Sequence, residues 1–191
     1  MKQLNYPFGE EVVRALKVGD VVSVSGKIYT GRDRLHKHLS EAHACPVDLK
    51  DAAIFHCGPV VVKDEAGEWK VVAAGPTTSI REEPYTPTVI KEQGLRVIIG
   101  KGGLGAKTLA ACSEFGCVYL QAVGGAAAVI AESIKKVRAV YFLDEFGATE
   151  AMWELEVEGL QATVAMDSHG ESLFANVKAA SLEQLKLLCM A

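Results

Sequence analysis

At 191 residues the chain is long enough for one well-buried core or a tight pair of subdomains. Its 49% hydrophobic and 23% charged content is that of a soluble globular domain, and a net charge of −4 offers no basic footprint for nucleic acid. No apolar run approaches the roughly 20 residues of a membrane span. Met1–Pro7 holds no signal-peptide core, so a cytoplasmic protein is expected.

In chain order, Phe8 to Lys17 has helical spacing through Val12, Val13 and Leu16 and closes at Gly19-Asp20. Val22, Val24, Gly26 and Ile28 alternate with polar residues, which predicts a half-buried strand. Asp33 is placed to cap a helix bearing Leu35, Leu39 and Ala42. Ala52–Phe55 and Pro59–Val62 are short apolar runs. The polar stretch Lys63–Glu68 then turns the chain into Trp69–Ala74, a hairpin reading. Glu82-Glu83-Pro84 opens a helix that runs to about Gln93, and Gly94 stops it.

From there the pattern reads βαβαβ. Leu95–Ile99, Cys117–Val123 and Val137–Leu143 are strands; Gly105–Phe115 and the Ala-rich Gly124–Lys136 are helices. Alternation of this kind implies parallel neighbours. A short Ala148–Trp153 segment leads to an alternating run, Leu155, Val157, Leu160, Thr163 and Val164. The loop Asp167–Gly170 follows, and Leu182–Leu188 reads as a terminal helix. With no repeat, low-complexity tract or linker, residues 1–191 are expected to form a single domain with a strand-rich first half and an α/β second half.

Two loops carry the chemistry. Gly75-Pro76-Thr77-Thr78-Ser79-Ile80-Arg81 leaves an apolar run with three hydroxyls and then a guanidinium, a planar fork suited to a carboxylate. Gly100-Lys101-Gly102-Gly103-Leu104-Gly105 leaves another strand with a lysine among glycines. Together they read as two walls of an anion site; taken singly, they are equally a turn with a surface arginine and a tight glycine turn. Arg32 sits just before a helix N-terminus, where backbone N–H groups also favour anions.

Gly100-x-Gly102-x-x-Gly105 also matches the dinucleotide fingerprint, in the strand-to-helix context that motif requires. The carboxylate expected about 20 residues later for a ribose is missing, because the next strand ends in Gln121-Ala122-Val123-Gly124. A phosphate loop fails as well, since Gly105-Ala106-Lys107-Thr108 separates the glycine from the lysine. The five cysteines (Cys45, Cys57, Cys112, Cys117, Cys189) form no CxxC pair. They point to a reducing compartment and buried free thiols rather than structural zinc, and offer no three clustered ligands for an iron–sulfur cluster.

Five blocks nonetheless fall in one order: Tyr29-Thr30-Gly31-Arg32-Asp33 with His36, Gly75–Arg81, Gly100–Gly103, Val123-Gly124-Gly125-Ala126-Ala127, and Asp167-Ser168-x-Gly170. From about Lys17 to Ala175 the chain resembles the β subunit, or C-terminal domain, of the class I iron–sulfur fumarate hydratases and their L-tartrate dehydratase relatives. It departs from them at Gly31, where many relatives carry Ala, and over Gly147–Trp153, which is one residue longer than usual and leaves a role for Glu150 open.

The resemblance implies a three-layer swivelling β/β/α domain and a hydro-lyase that reversibly hydrates the C=C bond of a C4 dicarboxylate. Fumarate leads, with L-tartrate or a methylated fumarate as alternatives. It implies a [4Fe–4S] cluster held by a partner α subunit, in an αβ or α2β2 assembly, and none bound by this chain. Arg32, Arg81 and Lys101 match the family's carboxylate-binding positions, and Thr77 matches the position that moves the C3 proton. His36 and His169 are expected to make loop hydrogen bonds only. Two readings of other classes stand beside this one: a nicotinamide enzyme using the Gly100–Gly105 loop, and a non-catalytic domain that binds an acidic metabolite.

Overall fold

A computed structural model describes residues 1–41 and 44–190; the expected helical position Ala42 lies outside them. The chain opens with β1 (Lys2–Asn5), α1 (Glu10–Arg14), β2 (Val21–Thr30) and α2 (Asp33–Ser40). Next come β3 (Ala53–Phe55), the hairpin β4 (Val60–Lys63) and β5 (Trp69–Ala73), a 3-10 turn over Ser79–Glu82, and α3 (Thr86–Gln93). The second half runs β6 (Val97–Gly100), α4 (Ala106–Phe115), β7 (Val118–Gln121), α5 (Ala127–Glu132), β8 (Ile134–Tyr141), α6 (Leu143–Phe146), β9 (Met152–Met166) and α7 (Leu173–Met190). β1 was not foreseen; it runs parallel to β2, with Leu4 fully buried.

The main sheet has seven strands in the order β1-β2-β3-β6-β7-β9-β8, and β9 also pairs with β2. That second pairing joins the ends of β2-β3-β6-β7-β9, so these five strands close into a barrel. The mixed α/β class stands as read, and within it five strands wrap into a closed barrel. A 15-residue strand makes this closure possible, because one end of β9 pairs with β7 and its length also lies along β2 and β8. A register shift between Val24 and Gly26 of β2, where Gly26 has φ 99°, lets the strand bend as it does so.

Side-chain alternation assigns the strands two buried faces. Ala53, Phe55, Val97, Ile99, Val118 and Leu120 join Val22, Val24, Ile28, Leu155, Val157 and Val164 in a cluster shared by all five barrel strands. The intervening Ile54, Ile98 and Tyr119 point the other way and pack with Leu35, Leu39, Val89, Ile90, Ala111 and Cys112 of α2, α3 and α4. Burial on both faces is why β3, β6 and β7 read as continuous apolar runs.

Four features differ from the sequence expectation. β6 and β7 are parallel neighbours as read, but the third strand of the predicted βαβαβ, β8, does not lie beside β7: β9 sits between them and is antiparallel to both. The Ala-rich helix stops at Glu132, because Ile134 pairs with Val157 and Lys136 with Glu156. Local helix propensity yields there to strand pairing. Asp33 likewise does not cap α2: it is the first helical residue, with Arg32 at the cap position and no side-chain cap bond. The terminal helix is longer than Leu182–Leu188, beginning at Leu173.

Candidate active site

Strands β2, β3, β6 and β7 are parallel, so their C-terminal ends open on one rim of the barrel. Ligands in parallel α/β sheets bind outside the carboxyl ends of strands. At this rim β2 delivers Gly31-Arg32-Asp33, β3 delivers His56-Cys57-Gly58, and β6 delivers Lys101-Gly102.

The loop after β5 reaches the same rim and is zipped onto it by backbone bonds. Thr77 N–H donates to the His56 carbonyl at 2.7 Å, Lys101 N–H to the Thr77 carbonyl at 3.2 Å, and Ser79 N–H to the Lys101 carbonyl at 2.9 Å. Thr78 and Lys101 form an isolated parallel bridge. The two loops that the sequence offered as walls of an anion site are therefore adjacent, with Thr77 and Lys101 held in one strand-like register.

Arg81 Nη2 donates to Thr77 Oγ1 at 2.8 Å. Its guanidinium also lies 3.5 Å from Asp33 Oδ1 and 3.9 Å from Glu82 Oε1. Arg81 stays 44% exposed, so it can turn toward a ligand. Among the described residues no carboxylate pairs with Lys101, which leaves its ammonium available for an anion.

Arg32 is placed by contacts distant in sequence. Thr30 Oγ1 donates to the Ala151 carbonyl at 3.2 Å and accepts from Trp153 N–H at 3.1 Å, tying the end of β2 to the start of β9. This brings Glu150 to Arg32, with Oε1 3.4 Å from Nε, while Glu150 Oε2 accepts from Arg34 N–H at 3.1 Å. Glu150, left open by the sequence, thus anchors Arg32 and satisfies a free N–H in the first turn of α2. Gly58 permits the approach: a Cβ there would lie 2.6 Å from the Thr149 carbonyl and 3.1 Å from Arg32 Nη1.

Two buried groups, Glu82 and His56, were given no place at the site by the sequence. Glu82 is fully buried beneath Arg81, with no hydrogen-bond partner for either carboxyl oxygen. Burial, reinforced by the neighbouring Asp33 carboxylate, pushes it up to about 8. His56 is fully buried and meets His36 with their Nε2 atoms 3.2 Å apart. His36 is therefore an interior residue rather than a loop residue, whereas His169 sits in its loop with Nε2 2.8 Å from the Arg14 carbonyl at the end of α1.

Glu83 decides against the dinucleotide fingerprint. Its carboxylate accepts from the backbone N–H groups of Gly105, Lys107 and Thr108 at 2.7, 3.2 and 3.3 Å, and from Thr108 Oγ1 at 2.6 Å. The N-terminus of α4, where a pyrophosphate would sit, is filled by the protein's own anion.

Among the described residues no group of three or more His, Cys, Asp or Glu side chains converges to hold a metal. Cys57 is pushed up to about 12 by burial, and burial beside Cys112 drives Cys117 well above its ordinary value. The rim is also open. The roughly 560 Å³ cleft between β5 and β8, lined by Trp69, Val71, Ile134 and Val137, shares no residue with it.

Comparison with known proteins agrees with this geometry. A family model described as Fumarase C-terminus matches residues 2–177. The chain belongs to that family. It is 56% identical over 182 residues to a Geobacillus stearothermophilus protein named "Putative fumarate hydratase class I", covering 95% of this chain and 35% of the relative. It is 44% identical over 181 residues to a Methanocaldococcus jannaschii protein named "Putative L(+)-tartrate dehydratase subunit beta", covering 92% of each. It is 34% identical over 179 residues to the L(+)-tartrate dehydratase subunit beta of Escherichia coli K12, covering 93% of this chain and 88% of that one. The chain thus spans about a third of the first relative's length and nearly the whole of the other two.

Proposed function

We propose that this chain is the β subunit of a hydro-lyase that reversibly adds water across the C=C bond of a C4 dicarboxylate, with fumarate and malate the leading pair. The observation that carries the reading is the rim itself. The backbone bridge between Thr78 and Lys101 holds Thr77 beside Lys101, Arg81 bonds the Thr77 hydroxyl, and Arg32 follows the parallel strand β2 at the same rim. Two carboxylates need fixed cations, and a carbanion developing between them needs positive charge held in place. The L-tartrate names among the relatives make L-tartrate the second substrate to test.

On this reading the chain's residues take the following roles. Arg32, steadied by Glu150, and Lys101, free of any carboxylate among the described residues, grip the substrate carboxylates. Arg81 donates to Thr77 Oγ1, which orients that hydroxyl and favours its alkoxide. A threonine hydroxyl is a weak base, so proton transfer at C3 also requires an activating carboxylate. We place that carboxylate, and a [4Fe–4S] cluster, on a partner α subunit closing over the exposed rim in an αβ or α2β2 assembly. When bound, such a cluster supplies a Lewis acid for the departing hydroxyl. The swivelling motion and layered description implied by the resemblance belong to this same proposal, as movement of the barrel against the α subunit. A cytoplasmic setting fits the five cysteines, all free thiols.

Reconstitution tests the reading. The purified chain alone should be colourless, iron-free and inactive. Mixing it with a cluster-bearing α subunit under reducing conditions should generate fumarate hydration, with L-tartrate dehydration assayed in parallel. Iron and sulfide bound to this chain, or an assembled complex inactive on every C4 dicarboxylate, refutes it.

A further inference from the structure

Directly beneath the rim, four buried polar side chains join end to end. The Tyr119 hydroxyl accepts from Gly103 N–H at 3.3 Å and lies 2.9 Å from Ser79 Oγ. Ser79 Oγ is 2.8 Å from His56 Nδ1, and His56 Nε2 is 3.2 Å from His36 Nε2. His36 Nδ1 is 3.1 Å from the Arg32 carbonyl. His36, His56, Ser79 and Tyr119 are all 0% exposed.

Both ends of this chain are backbone groups. An N–H can only donate and a carbonyl can only accept, and that sets the direction of every bond between them. His36 carries its proton on Nδ1 to reach the Arg32 carbonyl, so its Nε2 accepts. His56 then carries its proton on Nε2, so its Nδ1 accepts from Ser79. Ser79 accepts from the Tyr119 phenol, and Tyr119 from Gly103. Each side chain donates once and accepts once, with no bond left over, provided both imidazoles are neutral.

The surroundings keep them neutral. Burial brings His36 down to about 4, against the backbone bond to Arg32 and the nearby Asp33. Burial, with His36 and Arg81 as charged or ionisable neighbours, takes His56 well below its ordinary value. Tyr119, facing Glu82 and bonded to Ser79, is pushed up to about 12 by burial. The bare Cα of Gly100 is part of the fit: a methyl group there would collide with Ser79 Oγ and lie 3.0 Å from the Tyr119 hydroxyl.

A hydrogen-bonded chain that begins at a backbone N–H and ends at a backbone carbonyl cannot deliver a proton to a substrate. Its attachment points suggest a different use. One end is Arg32 itself, the middle is Ser79 between Thr77 and Arg81, and the other end is Gly103, two residues past Lys101. We propose that Tyr119, Ser79, His56 and His36 are positioning residues, a one-way hydrogen-bonded brace that sets the separation of Arg32, Arg81 and Lys101 and so selects the length of dicarboxylate they grip. The identity of the ligand rests on the function proposed above; the brace itself does not.

Nitrogen-15 NMR of histidine-labelled full chain reads the brace directly. Between pH 6 and 8, His36 should be the neutral Nδ1–H tautomer and His56 the neutral Nε2–H tautomer. A cationic ring or the reverse tautomer at either position overturns it. In the assembled αβ enzyme, Tyr119→Phe should lower kcat/KM about tenfold, the usual scale for losing one buried hydrogen bond. Most of the change should be in KM, and discrimination between a C4 and a C5 dicarboxylate should shrink. Ser79→Ala, which breaks the same chain at its middle, should repeat the effect and serves if the first variant does not fold. Folded variants with unchanged KM and unchanged selectivity overturn the positioning role. If Arg32→Met and Lys101→Met are also silent toward dicarboxylates, the substrate reading fails and the positioning role fails with it. If those two are crippling while Tyr119→Phe is silent, only the brace is lost.

Discussion

Glu82→Gln should stabilise the protein, by an amount that grows with pH. Glu82 is fully buried, its carboxyl oxygens have no hydrogen-bond partner, and Asp33 stands beside it. Burial first, then Asp33, raises it from an ordinary value of 4.5 to about 8. Between those values the native state holds a proton that the unfolded chain has released, so stability falls as pH rises through the window. Each unit costs about 1.4 kcal/mol. From 4.5 to pH 7 is 2.5 units, a loss on the order of 3 kcal/mol, and it levels off above about pH 8. Glutamine keeps the shape and a donor toward Asp33 but takes up no proton. Urea unfolding of both proteins at pH 5, 6, 7 and 8 should show the glutamine variant pulling ahead, from near equality at the acid end to roughly 3 kcal/mol at pH 7. Two profiles running parallel across that range would show that Glu82 is ionised in the native protein, and the reasoning would fail.

Other expectations follow from the rim. Thr77→Val keeps the β-branched shape but removes the hydroxyl bonded to Arg81; in the assembled enzyme kcat should fall at least about a hundredfold with KM within a few-fold. Solvent exchange at malate C3 should fall in parallel, and normal exchange per assembled site would end the proton-transfer role. Lys101→Met should cost on the order of 2–4 kcal/mol of transition-state stabilisation while thermal unfolding of the chain is unchanged; near wild-type kinetics would remove Lys101 from the site. Glu83→Ala leaves three N–H groups and the Thr108 hydroxyl at the start of α4 without their carboxylate. It should lower the unfolding free energy by about 2–3 kcal/mol, and Glu83→Gln by roughly half of that. A urea midpoint unmoved by Glu83→Ala would contradict the capping role.

Local signals located much of this architecture. Gly94, with φ 63°, ends α3 where a glycine stop was read, and the polar Lys63–Glu68 stretch does turn β4 back onto β5. The loops bearing Thr77, Arg81 and Lys101 stand at strand ends, as the abrupt change from apolar runs to hydroxyls and glycines indicated. Such features depend on backbone conformation and side-chain alternation over a few residues, and the order of residues encodes both directly.

What stayed hidden involves partners chosen across the fold. Alternation marks β9 as a strand but says nothing about whether it pairs with β2, β7 or β8, and it pairs with all three. Barrel closure is a non-local bargain among strands far apart in sequence, and the equally non-local pairing of edge strand β8 with β9 overrode the helical preference of the residues before Lys136. The carboxylate of Glu83 has no sequence mark separating it from that of Glu82. Yet one is spread over four donors at the start of α4, and the other is buried without a hydrogen bond. His36 and His56 lie 20 residues apart and become one hydrogen-bonded pair only because β2 and β3 run parallel and side by side. The sequence alone determined which residue types reach the rim and in what order. The tertiary structure decided which of them meet, because contact, burial and the direction of a hydrogen bond are properties of the closed barrel and not of any segment in it.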